Sequence, residues 1–298
     1  MRILVTGAHG FIGHHFLLYI LNKQGHEVAA LTRREGSFLD RVYWIKGDLK
    51  ELTTYERACI DFHPEAIVHL AWEGVTGSDR NHPIQLNNLT IAANLLQLAS
   101  KIKISHWIGL GSQAEYGAMA HSIHEGMIGT PTNLYGQTKK ALFKLTEQFC
   151  ARENIRFAWM RLFSAYGPME NSHWLLSYVI RSCLDGIKPK LTGCEQLWDY
   201  LFVEDAAEAL YEVLVNKEVS GDFNLGSGKV YSLSDIVHQI RDLINPSLSL
   251  GIGEIPYRED QVMYLEANIS KLTAATGWNP KTSLKEGLEK TIASIKML

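Results

Sequence analysis

The chain has 298 residues, of which 46% are hydrophobic and 20% charged, and this composition excludes a disordered or fibrous protein. Its net charge of −3 and its lack of a basic tract argue against nucleic-acid binding. Short apolar runs, a first segment without a signal-peptide pattern, and four widely spaced cysteines predict a soluble cytoplasmic protein with reduced thiols and no membrane partner.

Short apolar runs alternate with helical patterns along the first half of the chain. Apolar side chains at helical spacing predict helices over 11–21, 87–103 and 134–153. Strands are predicted at 2–6, 27–31, 42–45, 66–70, 105–110 and 156–161. This alternation indicates βαβ units, so we predict an α/β fold with a doubly wound, Rossmann-type parallel sheet.

The alternation becomes irregular after Gly167. A helical stretch at 174–185 precedes a predicted return strand near Leu191, and another helix begins around Val203. The tail has patterns of short helices and loops. We predict a dinucleotide-binding domain at 1–167, with return segments at about 191–228, and a smaller mixed α/β substrate-binding lobe at 168–190 and 229–298.

Three glycines, Gly7, Gly10 and Gly13, lie between the first predicted strand and helix, with Phe11 and Ile12 inside the motif. Gly7 permits a tight turn, Gly10 lets backbone amides approach a diphosphate, and Gly13 lets the helix pack close to the sheet. The helix N-terminus adds unpaired N–H groups and partial positive charge. The motif therefore predicts a dinucleotide site.

The second predicted strand leads into Arg33 and Arg34. NAD-preferring sites usually carry an acid here, whereas arginines can hold the 2′-phosphate of NADP. The alternative is a pair of solvated surface charges, and we favour NADP(H) over NAD. Asp48 and Leu49, after the third strand, are placed to meet the adenine ring.

A phenol and an ammonium group, Tyr135 and Lys139, are four residues apart on one face of a predicted helix. The positive charge of Lys139 would lower the pKa of Tyr135, which could then exchange a proton with an alcohol or sugar oxygen while hydride moves at the adjacent carbon. Lys139 could also hold the nicotinamide ribose. Ser112 follows a predicted strand, at the edge of the sheet where its hydroxyl could bind the reacting oxygen.

The glycine motif, the strand-end serine and the Tyr/Lys pair, in this order and at these distances, resemble the extended short-chain dehydrogenase/reductase family. They are most similar to its branch of nucleotide-sugar epimerases, dehydratases and reductases. The resemblance extends over nearly the whole chain, through segments at 69–72, 88–96, 161–168, 199–207, 223–228 and 276–280.

This resemblance implies a catalytic set of Ser112, Tyr135 and Lys139. It implies further cofactor contacts at Leu70, Ala71, Asn88, Tyr135, Lys139 and Phe163. The implied substrate contacts are Trp72, Ser112, Gln113, Tyr135, Ser164, Trp198 and Arg258, of which the last matches an arginine that grips the substrate diphosphate.

Departures from the family pattern reduce the number of reactions that the chain is expected to catalyse. The 4,6-dehydratases need an Asp-Glu pair after the Ser/Thr, and this chain has Gln113 and Ala114, which cannot transfer a proton. The glutamate usual in decarboxylating relatives is missing as well, and no cysteine that could serve a 3,5-epimerase lies near Ser112. Two reactions remain. One is 4-epimerisation, in which the enzyme usually retains NAD⁺, and the other is net reduction of a 4-keto group, in which NADPH is exchanged at each turnover. Arg33 and Arg34 favour the reduction.

Three positions on the substrate side also depart from the family pattern. Ser164 stands where asparagine is frequent, and Trp198 where arginine is frequent, which removes a cation from a diphosphate site. Trp72 replaces a small residue and either shapes the sugar pocket or packs in the core.

We therefore predict an NADPH-dependent reductase of a nucleotide-activated 4-keto-6-deoxy sugar, in deoxysugar formation for surface polysaccharide or glycosylation. The alternatives are an NAD-dependent nucleotide-sugar 4-epimerase and a non-catalytic dinucleotide-sensing protein. No metal is expected, because the histidines form no metal-binding pattern. The apolar stripe around 141–149 is core or a dimer face, and helix bundles in this family lead us to expect a homodimer.

Overall fold

A seven-stranded sheet is the centre of the first of two units in the computed structural model, which describes residues 1–34, 39–258 and 261–297. The first unit comprises Met1–Gly117, Ile128–Leu162 and Ala207–Phe223. The second comprises Ala118–Met127, Phe163–Ala206 and Asn224–Leu298.

The described strands and α-helices follow one another along the chain as follows. The strands are β1 (Arg2–Thr6), β2 (Glu27–Thr32), β3 (Val42–Lys46), β4 (Ala66–His69), β5 (His106–Ser112), β6 (Arg156–Leu162), β7 (Ser164–Tyr166), β8 (Leu197–Phe202), β9 (Gly221–Leu225), β10 (Val230–Ser232) and β11 (Tyr264–Leu265). The α-helices are α1 (Phe11–Leu21), α2 (Glu56–Phe62), α3 (Asn87–Ile102), α4 (Leu134–Glu153), α5 (Leu175–Leu184), α6 (Val203–Val215), α7 (Leu233–Ile244), α8 (Ser270–Thr276) and α9 (Leu284–Lys296).

The large sheet has the strand order β3-β2-β1-β4-β5-β6-β9. The pairs among its first six strands are parallel. The chain therefore winds outward from β1 on one side and, after crossing over, outward from β4 on the other. This confirms the predicted doubly wound, Rossmann-type sheet. The crevice where the winding reverses, at the carboxyl ends of β1 and β4, is where such sheets bind ligands.

A separate, smaller sheet lies in the second unit. Its strand β8 pairs antiparallel with β10 and parallel with both β7 and β11, so the sheet is mixed, and with α5, α7, α8 and α9 it forms the predicted smaller α/β lobe. Among the residues that the structure describes, no helix combines the length and apolar character that crossing a membrane requires.

Each unit has its own hydrophobic core. In the first, the rings of Phe143 on α4 and Phe157 and Trp159 on β6 pack face to face or tilted, with centroids 5.9–6.3 Å apart. The core of the second unit gathers apolar side chains of α5, α7 and α9 against β8. All four cysteines are buried free thiols.

The predicted return strand near Leu191 is wrong. Leu191 is buried outside the named strands, its neighbour Lys190 makes only an isolated bridge with Gly251, and the strand begins at Leu197. The backbone N–H of Leu191 donates to Gly251 and that of Gly251 donates to Pro189, which amounts to an isolated bridge and not to a strand. The tail also holds longer helices than expected, because α7 and α9 have 12 and 13 residues.

Candidate active site

The glycine loop between β1 and α1 is a backbone cradle at the switch point of the sheet. Gly7 has a φ of +75°, and a Cβ there would lie 2.6 Å from the backbone nitrogen of Ala71, just after β4. A Cβ at Gly13 would lie 2.1 Å from the carbonyl oxygen of Gly7. Helix α1 begins with Phe11 and Ile12, and no side chain caps its N-terminus. Close backbone approach and uncapped amides fit the diphosphate of a dinucleotide.

The segment after β4 follows the same edge of the sheet. Leu70 donates its backbone N–H to the carbonyl oxygen of Thr6 at 3.2 Å, and the backbone N–H of Ala71 donates to the Thr6 hydroxyl at 3.3 Å. Asn88 is buried, and its side-chain amide makes hydrogen bonds to Glu73 and Gln85. In this structure Asn88 therefore holds the loop that follows β4.

The end of β2 is rich in positive charge. Arg33 Nη1 and Lys50 Nζ each lie 3.4 Å from the same oxygen of Glu73. The Arg33 side chain is 64% exposed, and Arg34 is exposed as well. The carboxylate of Glu73 thus faces the cations of Arg33 and Lys50, and Arg34 follows Arg33 in the sequence. Lys50 and Glu73 were missed by sequence reasoning, because their approach to β2 depends on how the loops after β3 and β4 fold.

Two predicted adenine contacts, Asp48 and Leu49, follow β3. A carboxylate oxygen of Asp48 accepts the backbone N–H of Lys50 at 3.0 Å, and the carbonyl oxygen of Leu49 accepts the Asn94 amide at 3.0 Å. Asp48 is therefore held by a local hydrogen bond and Leu49 by one from helix α3. Residues 35–38, next to Arg34, lie outside the described part of the chain.

The structure brings Ser112 and Tyr135 together. Ser112 ends β5, and its hydroxyl is near enough to the phenol to lower the pKa of Tyr135 and accepts the backbone N–H of Ala114 at 3.2 Å. The side chain of Asn133 caps α4, which places Tyr135 in its first turn. A Cβ at Gly136 would lie 2.3 Å from the carbonyl oxygen of Ala114, so α4 begins directly against the turn after Ser112. Gln113 opens this turn and is half-buried.

Lys139 lies one helical turn further along α4 and is buried. Its Nζ donates to the carbonyl oxygen of Leu110 at 2.5 Å and lies 3.6 Å from the ring centroid of Trp72. Burial lowers the pKa of Lys139 to about 7, and the negative charge of Glu115 opposes that change. The ammonium group is thus held by a carbonyl and an aromatic face.

Trp72 contacts both Tyr135 and Lys139 and also packs against the hydrophobic core of the first unit. Its ring meets that of Tyr135 edge-on, with centroids 5.8 Å apart and an interplanar angle of 82°. Its indole N–H donates to Gln85 at 2.9 Å. Core packing, one of the two expectations for Trp72, is therefore present, and the other, a role in shaping the sugar pocket, stays a prediction.

The pKa of Tyr135 reflects opposing influences. Burial raises it, and the negative charge of Glu115 raises it further. The hydrogen bond from Ser112 and the positive charge of Arg80 lower it. The sequence led us to expect this positive charge from Lys139, and Arg80 was missed because it lies on a separate loop.

A buried carboxylate, that of Glu115, supports the turn after Ser112. It is 2% exposed and accepts the backbone N–H of Ser112 at 2.8 Å, the indole N–H of Trp159 at 3.0 Å and Nε of Arg161 at 2.8 Å. Arg161 also pairs with Asp222. Sequence reasoning missed Glu115, although the Ser-x-x-Glu pattern of a capping box was visible in residues 112–115.

The remaining predicted residues lie in the second unit. Phe163 is buried and donates its backbone N–H to the carbonyl oxygen of Leu225 at 2.9 Å. Ser164 begins β7, and the indole of Trp198 on β8 donates to the carbonyl oxygen of Val262 at 2.9 Å. Arg258 is exposed.

A dinucleotide cradle at the switch point of a Rossmann-type sheet, beside a Ser, Tyr and Lys group, defines an NAD(P)-dependent oxidoreductase of the short-chain dehydrogenase/reductase type. Residues 3–226 match the NAD dependent epimerase/dehydratase family. The chain belongs to this family, and it is an enzyme that acts on a CH–OH or C=O group of a nucleotide sugar.

Relatives and solved structures agree over nearly the full length of the chain. CDP-abequose synthase of Salmonella typhimurium is 30% identical over 301 residues, which cover 97% of each chain. UDP-glucose 4-epimerase of Halalkalibacterium halodurans is 27% identical, and the match covers 94% of this chain and 91% of the epimerase. The structure of MoeE5 in complex with UDP-glucuronic acid and NAD matches with a TM-score of 0.89 at 26% identity, covering 100% of this chain and 99% of that one. These comparisons support a nicotinamide dinucleotide cofactor and confirm the predicted family.

Proposed function

We propose that the protein is an NADPH-dependent reductase of the 4-keto group of a nucleotide-activated 4-keto-6-deoxy sugar. The observation that carries this proposal is the turn after Ser112. Ser112 lies beside Tyr135 there and lowers the pKa of its phenol, and the two following positions, Gln113 and Ala114, hold no group that transfers protons at neutral pH. The site can therefore serve proton and hydride transfer at one carbinol or ketone carbon but not the elimination of water.

Tyr135 is the proton donor in this proposal. When bound, the cofactor supplies the hydride. Burial keeps the pKa of Tyr135 above its ordinary value, so the phenol carries its proton at neutral pH, as a donor must. Tyr135 gives that proton to the oxygen that was the 4-keto oxygen, Ser112 donates a hydrogen bond to the same oxygen, and Lys139 holds the nicotinamide ribose.

The preference for NADPH is supported by the positive charge at the end of β2. Arg33 and Lys50 share the carboxylate of Glu73, and the Arg33 guanidinium is largely exposed and can turn toward a 2′-phosphate. The relative CDP-abequose synthase supports a nucleotide-linked sugar as substrate.

The experiment that tests the function combines cofactor release with turnover. We expect the purified protein to release its nicotinamide cofactor readily and to oxidise NADPH when given a nucleotide-linked 4-keto-6-deoxy sugar from a panel of such sugars. Tightly retained NAD⁺ with interconversion of C4 epimers would establish the second candidate, an NAD-dependent 4-epimerase. The similarity to UDP-glucose 4-epimerase favours that candidate. Cofactor binding without turnover of any sugar in the panel would favour the alternative of a non-catalytic dinucleotide-sensing protein.

Replacing Arg33 and Arg34 together with alanine is expected to lower the ratio of kcat/KM for NADPH to that for NADH about tenfold, because the 2′-phosphate loses charged hydrogen bonds. The measurement is steady-state kinetics with both cofactors. Arg57→Ala, which removes an exposed arginine paired with Asp61 on α2, is the matched control. An unchanged ratio would show that the two arginines are only solvated surface charges.

Three further properties belong to the same proposal. We place the reaction in deoxysugar formation for surface polysaccharide or glycosylation, in the cytoplasm. Ala141 and Leu145 are exposed and Phe149 is half-buried along one face of α4, and this stripe supports a homodimer through α4.

A further inference from the structure

Arg80 lies over the ring of Tyr135. It belongs to a short 3-10 helix, Gly77–Asn81, in the loop between β4 and α3. Its guanidinium carbon is 4.7 Å from the centroid of the Tyr135 ring, which is within the range of a cation–π interaction. The Arg80 side chain is half-buried, so this contact is partly shielded from solvent.

The loop that carries Arg80 is fastened to the helix that carries Tyr135. The side-chain oxygen of Asn81 accepts the backbone N–H of Leu134 at 3.0 Å, which joins the neighbours of the two residues. The buried side chain of Gln85 donates to the carbonyl oxygen of Asp79 at 2.9 Å from the other side. The position of Arg80 over the phenol is therefore built into the loop.

The two cations near Tyr135 are held differently. Lys139 Nζ is 5.9 Å from the Tyr135 centroid, but it is closer to the Trp72 ring and donates to the carbonyl oxygen of Leu110. Arg80 is nearer to the phenol ring than Lys139 is. Its Nε is buried without a hydrogen-bond partner among the described residues.

The charges around the phenol have opposite effects. The positive charge of Arg80 lowers the pKa of Tyr135, and the negative charge of Glu115 raises it. The pKa of Lys139 is lowered to about 7 by burial, so Lys139 loses its charge as the pH rises through neutrality. A guanidinium keeps its charge throughout this range.

We propose that Arg80 is a positioning residue for Tyr135, whose ring it orients and whose phenolate form it stabilises as the proton leaves for the substrate. The function of this contact rests on the proposed role of Tyr135 as proton donor. The contact itself can be measured without any substrate. Arg80 thus provides a positive charge that persists where Lys139 becomes neutral.

The test is a titration of the phenol in the full-length protein. Incorporated 3-fluorotyrosine, which is more acidic than tyrosine, keeps the titration below strongly alkaline pH. The absorbance difference between the protein and its Tyr135→Phe variant isolates one phenolate. We expect Arg80→Gln to lower the phenolate fraction of residue 135 at a given pH roughly threefold, because the phenolate loses the attraction of a nearby positive charge. Arg80→Lys should restore most of this fraction.

Two further variants keep the test decisive. Arg80→Met serves as a second uncharged replacement if the glutamine variant folds poorly. Arg57→Gln, on exposed helix α2, is the control and should leave the titration unchanged. The proposal is overturned if the uncharged variants have the same phenolate fraction as the parent protein. It is also overturned if the phenolate fraction of Arg80→Lys is no higher than that of Arg80→Gln. If the titration shifts but no keto sugar is reduced, the proposed function fails and the proposed interaction of Arg80 with the phenol stands.

Discussion

Replacing Tyr135 with phenylalanine is expected to lower turnover by about 10²–10⁴-fold, which is the usual contribution of a positioned proton donor. The change removes only the phenolic hydroxyl and its interaction with Ser112. The ring keeps its edge contact with Trp72 and its place under Arg80. The loss should therefore appear in kcat, with little change in the KM for either substrate.

The measurement is NADPH oxidation under saturating conditions, together with thermal unfolding and NADPH binding. The variant is expected to keep its fold and its affinity for NADPH, since one neutral hydrogen bond contributes only about 1 kcal/mol to stability. Tyr43→Phe is the matched control, because Tyr43 is an exposed tyrosine on β3 whose ring stacks on Phe62. If the Tyr135→Phe enzyme turned over at the parent rate, another group would have to be the acid.

The parts of this site that were predicted from sequence depend on local order along the chain. Gly7 and Gly10 lie between a strand and a helix and Gly13 lies in the first turn of that helix, and a parallel sheet places such a turn at its carboxyl edge. Ser112 ends a strand and Tyr135 lies in the first turn of a helix, and the structure brings the two side chains together. In each case the neighbouring residues determine the position.

The parts that were missed depend on contacts between distant segments. Glu115 bonds to Trp159 and Arg161, which are 44 and 46 residues away. Arg80 reaches Tyr135 from a loop whose course follows from hydrogen bonds of Gln85 and Asn81. No periodicity or motif encodes such partners. The strand expected near Leu191 failed for a related reason, since an apolar pattern alone does not show whether a neighbouring strand is available.

Replacing Glu115 with leucine is expected to lower the free energy of unfolding by about 3–5 kcal/mol, the usual effect of removing one partner from a buried ion pair. The Arg161 guanidinium would lose its buried partner, and the N–H groups of Ser112 and Trp159 would lose their acceptor. Arg161 keeps its pair with Asp222, which is 20% exposed, so the protein should still fold.

Glu115→Gln separates the charge from the hydrogen bonds. A glutamine oxygen can still accept the Ser112 N–H, so we expect a smaller loss of about 1–3 kcal/mol. Urea unfolding provides the measurement, and Glu147→Gln, at a surface pair with Lys144 on α4, is the control with an expected change below about 1 kcal/mol. Leucine and glutamine variants as stable as the parent would show that desolvation of Glu115 costs as much as its contacts contribute. The double variant Glu115→Leu with Arg161→Met tests the cause of a loss of stability. Recovery of stability in the double variant would identify the unpaired guanidinium as the cause, because a buried pair replaced by apolar side chains of similar volume is often tolerated.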